Sequence, residues 1–123
     1  MIRGRKSPIV HVIAYKKNAD SPVQLTVTPD PLDMTQYPRG SHTVTWQLDT
    51  KGFHFSRKSP PIEFTSPGWE KSFSDFRVSE CRRFVTAQNR NRDGLAFAYN
   101  INVVEHATGT EVALDPVIQN QDK

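Results

Sequence analysis

The bond between Asp115 and Pro116 is the place in this 123-residue sequence where residue type points to covalent chemistry. An aspartate carboxyl can attack the carbonyl carbon of its own peptide bond and close a five-membered anhydride. A prolyl nitrogen, being a tertiary amide nitrogen, leaves more readily once protonated. The bland role of a proline there is to sit at a sheet edge or end a strand, since it cannot donate to a ladder. Asp30-Pro31 offers the same bond in a loop and serves as an internal comparison. With Thr108-Gly109 as a two-residue turn, Val103 faces Leu114, Ile101 faces Pro116, Tyr99 faces Ile118 and Asn102 faces Asp115. Asn102 would then hydrogen-bond the Asp115 carboxyl or polarise its carbonyl. The catalytic candidates are therefore Asp115 as nucleophile or acid, Pro116 as the leaving side and Asn102 as a positioning group. Burial in a strand would raise the Asp115 carboxyl pKa and keep a proton available for the departing nitrogen.

Other chemistry is sparsely signalled. His11, His42, His54 and His106 have no partner at metal-ligand spacing, so no metal site is expected. No Gly-x-Ser-x-Gly elbow and no glycine-rich phosphate loop are present, and no cofactor is expected. Cys81 lies between Glu80 and Arg82, and an arginine can lower a thiol pKa, but a lone cysteine in a β domain is more often a small packing residue. The aromatics Trp46, Phe53, Phe55, Phe73, Phe76, Phe84, Phe97 and Tyr99 fall mostly on the inward phase of strands and read as core rather than as a stacking platform. Trp69, after a Pro-Gly turn, is the expected exposed exception.

The elements that position these residues are strands. Leu95, Phe97, Tyr99, Ile101 and Val103 alternate with polar residues, the period of a half-buried strand, and the chain returns through Val112, Leu114 and Ile118. Val23, Leu25 and Val27 alternate in the same way, as do Val44, Trp46 and Leu48. Residues 8 to 15 are nearly continuous in apolar residues and read as a strand covered on both sides. Prolines 29 and 31 make 29 to 41 a loop with one short turn. Phe53 to Phe55 and Ile62 to Phe64 read as short strands, and Trp69 to Asn89 as strand or helical turn. Asn91-Arg92-Asp93-Gly94 is expected to close a hairpin, Asp-Gly being favoured in type I′ turns. Seven or eight short strands with frequent turns give the fold expectation: an all-β, single antiparallel β-sandwich domain over residues 1–123, with Trp46, Tyr99, Ile101, Val103 and Leu114 in one core and a candidate cleavage point between 115 and 116.

Composition agrees with that class. The hydrophobic fraction is 36% and nine prolines stand against six glycines, while a mean hydropathy of −0.60 suits strands that each bury one face. The net charge of +3 is scattered, and basic residues such as Arg82, Arg83, Arg90 and Arg92 near a later turn read as solvated surface, so nucleic acid is not an expected partner and any binding would be weak and salt-dependent. A single cysteine excludes an internal disulfide and favours a reducing, cytoplasmic setting. No apolar run approaches the roughly 20 residues needed to cross a bilayer, and no membrane association is expected.

The carboxy-terminal pattern, from Leu95 through Asn100 and Val103, the Thr-Gly turn, and then Ala113-Leu114-Asp115-Pro116-Val117-Ile118-Gln119-Asn120, resembles the small bacterial proteins of the DP-EP family. The resemblance implies a β-sandwich of immunoglobulin-like outline with an unsettled cellular role, and self-cleavage at the Asp115-Pro116 bond. Three function classes follow: a self-processing domain that acts once by aspartate-dependent hydrolysis, a non-enzymatic interaction module with a protein partner or a second copy of itself, and a weak nucleic-acid-binding domain.

Overall fold

The computed structural model describes residues 7–38, 40–91 and 94–120. Among them are eleven strands: β1 (Ile9–Tyr15), β2 (Gln24–Thr28), β3 (Leu32–Asp33), β4 (His42–Leu48), β5 (Phe53–Phe55), β6 (Ile62–Phe64), β7 (Phe73–Val78), β8 (Phe84–Asn89), β9 (Ala96–Glu105), β10 (Glu111–Leu114) and β11 (Val117–Gln119). Two short 3₁₀ turns, Met34–Gln36 and Trp69–Lys71, are the helical segments. No helix of the described residues is long and apolar enough to cross a membrane.

The chain is all-β, built as two mixed sheets. One runs β2-β1-β4-β8-β7; the other runs β10-β9-β11-β3, with β5 and β6 on the opposite edge of β9. The ten-residue β9 therefore serves four strands at once. Its first half pairs β11 on one side, its second half pairs β10, and β6 and β5 line the other edge. Its pattern of buried Phe97, Tyr99, Ile101 and Val103 with less buried residues between places one face inward, because successive strand side chains point to opposite faces.

Both sheets contribute to one hydrophobic cluster in which Trp46, Tyr99, Ile101 and Val103 are buried and Leu114 packs half-buried against it. At its centre the Trp46 indole Nε1–H on β4 donates to the Tyr99 hydroxyl on β9 over 3.0 Å. The two rings meet edge to face at 5.6 Å, the geometry that the aromatic quadrupole favours. Burial holds the Tyr99 phenol far above its ordinary pKa; the Trp46 hydrogen bond opposes this and the Asp30 charge adds to it.

The sheets are not purely antiparallel. β1 runs parallel to β4, with Val10 beside Trp46, and β11 runs parallel to β3, with Ile118 beside Leu32. Such pairings join strands distant in sequence, so no local turn announces them. Nor does β1 lie covered on both sides: Val10, Val12 and Ala14 are buried while Ile9, Ile13 and Tyr15 stay exposed, since only one face of its sheet meets the core. The expected loop at 29–41 holds β3 and a 3₁₀ turn capped by Asp33, whose carboxylate accepts from the Thr35 N–H and hydroxyl. Those bonds hold the Asp33 carboxyl below its usual pKa. The two strands that a hairpin across 91–94 would join do not pair: β8 pairs β4 and β7, and β9 belongs to the other sheet. Of that expected turn, Arg92 and Asp93 lie outside the described residues.

Replacing Tyr99 by Phe leaves the fully buried Trp46 N–H without an acceptor, a loss of about 1–3 kcal/mol. The denaturant midpoint should fall with an unchanged slope, and the double variant with Trp46→Phe should recover part of the loss, because both polar groups are then removed together.

Candidate functional site

Asp115 and Pro116 occupy the break between β10 and β11. The ladder to β9 runs in one register on both sides of them, Leu114 beside Ile101 and Val117 beside Ala98, which carries Asp115 beside Asn100 across the break. The expected partner Asn102 lies beside Ala113 instead. The reason is the turn. His106 to Gly109 form a four-residue loop, with Glu105 N–H donating to Thr110 O and Gly109 N–H to Glu105 O. The Thr108 hydroxyl donates to Glu105 and is linked to Thr110, whose N–H it also accepts. Gly109 takes a φ of 73°, which glycine adopts without penalty. The slip relative to a two-residue turn is two positions, so every side chain keeps its face while every partner changes.

Asn102 is engaged elsewhere. Its side-chain N–H donates to Pro60 O over 2.8 Å, its backbone N–H to Pro61 O, and its carbonyl accepts from Ser56 N–H. It fastens the β5–β6 connection and does not reach toward the Asp115 carboxyl. Asp115 is exposed whereas Pro116 is buried, so the expected burial falls on the wrong side of the bond. The side chain that does come close belongs to Asp30, whose Oδ1 accepts the Val117 N–H over 3.1 Å. Extending the β3–β11 register lays Asp30 alongside Pro116. The hydrogen bond from Val117 N–H to Asp30 links the two Asp-Pro segments, so Asp30-Pro31 is no independent comparison for Asp115-Pro116.

A second site lies at the opposite edge of β9. Pro60, Pro61, Ile62, Glu63, Phe64, Trp69, Phe76, Val78 and Val85 line an open groove of about 440 Å³. It separates β6, on the edge of one sheet, from β7, on the edge of the other. Phe64 is its organiser. Its ring stacks on Phe73 at 4.1 Å and on Trp69 at 5.8 Å, meets Phe76 edge-on at 6.1 Å, and touches Tyr99 at 5.3 Å. The groove wall is therefore continuous with the Trp46–Tyr99 core. Gly68, at φ 82°, swings the 3₁₀ turn so that Trp69 rests half-buried on Phe64. Phe76 and Val78 remain 38% and 37% exposed, so Phe76, with the exposed Phe84, and not Trp69, is where an aromatic leaves the expected core.

Two of the arginines expected on the surface, Arg82 and Arg83, instead bind backbone carbonyls. Arg82, at φ 58°, donates through Nε to Phe55 O and through Nη2 to Ser56 O. Arg83 gives two bonds to Leu48 O. Asn89 and Asn120 exchange side-chain hydrogen bonds of 2.7 and 3.1 Å in the interior, and Asn91 donates to Met34 O and Pro38 O, which ties the carboxy-terminal strand to β8 and the 3₁₀ turn. Cys81 is exposed at the β7–β8 turn, its thiol pKa lowered chiefly by the Ser79 hydroxyl. His11 meets Asp49 at 3.0 Å. His54 and His106, 52 residues apart by number, stack with ring centroids 4.7 Å apart. Among the described residues no three His, Cys, Asp or Glu gather as a metal site.

The His54 imidazole pKa is lowered from 6.5 by burial first, then by His106, Arg57 and Arg82. The unfolded chain therefore binds this proton more readily than the native one. The associated stability is present above pH 6.5 and is lost as pH falls from there through the lower native value. A His54→Gln variant should show a flatter stability–pH curve across that window, measured by urea unfolding at a series of pH values.

No protein-family model matches this chain, and comparison with curated proteins finds no match.

Proposed function

We propose that this protein is a non-enzymatic binding module whose groove between β6 and β7 takes an extended peptide segment of another protein, apolar at alternate positions and carrying a basic residue. The reading rests on one observation: an aromatic-walled groove opens between two sheet edges, and Glu63 is the one ionisable residue among those that line it. β7 ends its sheet and pairs only with β8 among the described residues. Its backbone edge can thus add a strand, while alternate side chains of the added strand enter the groove. A volume near 440 Å³ accommodates two or three apolar side chains. The same reading takes the two mixed sheets as a sandwich of immunoglobulin-like outline. It takes the chain as a member of the DP-EP family on the strength of its 95–120 motif, and as a cytoplasmic protein on its lone exposed cysteine.

Trp69 on the groove wall is the reporter, because Trp46 is fully buried and blind to the ligand. Decapeptides with alternating apolar residues and one lysine should shift Trp69 emission to the blue, with a Kd on the order of 10–100 μM. Phe76→Ser, at an exposed position, should weaken binding at least about tenfold, and Glu63→Lys should transfer preference to peptides carrying glutamate. No response to any peptide, or dimerisation in sedimentation that Phe76→Ser abolishes, would replace this partner.

A second reading is self-scission at Asp115-Pro116, supported by the Asp30 carboxylate on the Val117 N–H. In that step the Asp115 carboxyl oxygen bonds to its own carbonyl carbon, the bond to Pro116 N breaks, and that nitrogen takes up a proton. Water then opens the anhydride. Intact mass should show residues 1–115 accumulating faster at mildly acidic pH and faster in the folded chain than in urea. Asp115→Ala should abolish scission, Asp30→Asn should slow it, and Asn102→Ala should leave it unchanged in chains that remain folded. Equal rates in folded and unfolded protein would reduce the cleavage to acid lability.

A further inference from the structure

At the end of the molecule remote from the Asp-Pro pair, β5, the β7–β8 turn and the start of the β9–β10 loop meet. His106 N–H donates to Gly52 O and Phe55 N–H to Arg82 O, which fixes the three segments together. His54 stands beside Val104 in the ladder, and His106 follows two residues later on the same face. Their rings are therefore diagonal neighbours, stacked at 4.7 Å with 32° between the planes. The groups around them are mostly positive. Arg57 and Arg82 act electrostatically on His54, Lys51 precedes the Gly52 that holds His106, and Lys58 follows Arg57. The acids nearby are Glu105, which accepts the Thr108 hydroxyl, Glu111, which accepts the Ser59 hydroxyl, and Glu80, two residues before Arg82 in the β7–β8 turn.

Two imidazoles packed together beside two guanidiniums are a poor place for a metal cation, since each fixed positive charge raises the cost of another. They are a good place for an oxyanion. Arg82 is held in place by its bonds to Phe55 O and Ser56 O, so a ligand meets a guanidinium already fixed in position. Each imidazole that protonates adds one charge and an N–H donor.

We propose that this end of the molecule is an oxyanion site for inorganic phosphate or a small phosphate monoester, in which stacked His54 and His106 with Arg57 and Arg82 bind the anion more tightly as pH falls. By linkage, an anion that favours the protonated pair must raise the imidazole pKa by the same free energy that protonation adds to its binding. The proposal is independent of the groove and of the Asp-Pro bond.

The test follows the His54 and His106 ring protons by NMR through a pH titration of the whole chain, in inorganic phosphate and in chloride at equal ionic strength of about 0.1 M. A phosphoserine arm distinguishes a monoester from the free ion. In phosphate the His54 pKa should rise by about half a unit, equivalent to roughly threefold tighter binding to the protonated form. Arg57→Ala and His106→Asn change exposed residues, and amide spectra verify that each variant is folded. His106→Asn should raise the His54 pKa in chloride by removing a like charge, and both variants should erase the phosphate increment. Identical titrations in the two salts would overturn the proposal, as would an increment that survives both substitutions. So would a single-stranded oligonucleotide that binds the same rings far more tightly and with steep salt dependence, which would make the surface a nucleic-acid contact.

Discussion

The hydrogen bond from the Trp46 indole to the Tyr99 hydroxyl is the constraint on which the two sheets depend. Tyrosine and tryptophan carry polar atoms that cost about 1–3 kcal/mol each if buried alone, and here each satisfies the other across the interior. The pairing has a geometric consequence. It fixes the register of β4 against β9 in depth as well as in rotation, because an N–H to O bond tolerates displacements of only a few tenths of an ångström. Apolar contacts alone would allow the sheets to slide. Everything that leans on β9, including β5, β6, β10 and β11, inherits that position.

The alternation in β9 was legible because its period is local: four apolar residues at every second position, Phe97 to Val103, can bury one face only as a strand, whereas Leu95, which continues the pattern, precedes β9 and stays exposed. For the same reason the sequence correctly placed Trp46, Tyr99, Ile101 and Val103 in one core. Partners were not legible. The choice between a two-residue and a four-residue turn depends on the hydroxyl of Thr108 bonding Glu105 and Thr110, and the Thr-Gly pair fits either. A two-residue slip leaves inward and outward faces untouched, so the apolar pattern could not expose the error, and Asn102 was set beside the wrong residue. The parallel pairings of β1 with β4 and β3 with β11 were hidden for a related reason, since they join segments that no hairpin links.

The polar side chains tell the same story from another direction. Arg82 and Arg83 read as surface charge because guanidinium groups are costly to bury, yet each points its donors at carbonyls that no strand satisfies. His54 and His106 lack any spacing signal and meet only because β5 and β9 pair. Phe64 passed as one apolar residue of a short strand, although the Ile62–Phe64 alternation was visible. Its role as the hub of five ring contacts depends on the other sheet supplying Phe73 and Phe76.

The groove raises the question of why an apolar edge survives in a monomer-sized domain. Exposed, flat edge strands recruit other chains indiscriminately, and sheets ordinarily blunt them. β7 is blunted in part: its register against β8 shifts between Ser74 and Arg77, and Asp75 is held at φ 56°. That conformation costs a non-glycine residue about 1 kcal/mol or more. The irregularity turns the strand, sets a carboxylate and a guanidinium on either side of Phe76, and interrupts the row of donors that an identical edge would need for continuous pairing. A short ligand that enters the groove needs no such continuity. Its affinity would come from a few side chains packed on Phe64, Trp69 and Phe76, with backbone bonds on one side of the bulge only. An edge guarded against long pairing but open to short segments is what the proposed peptide-binding role requires, and under that proposal the strained Asp75 is the residue that would separate the two.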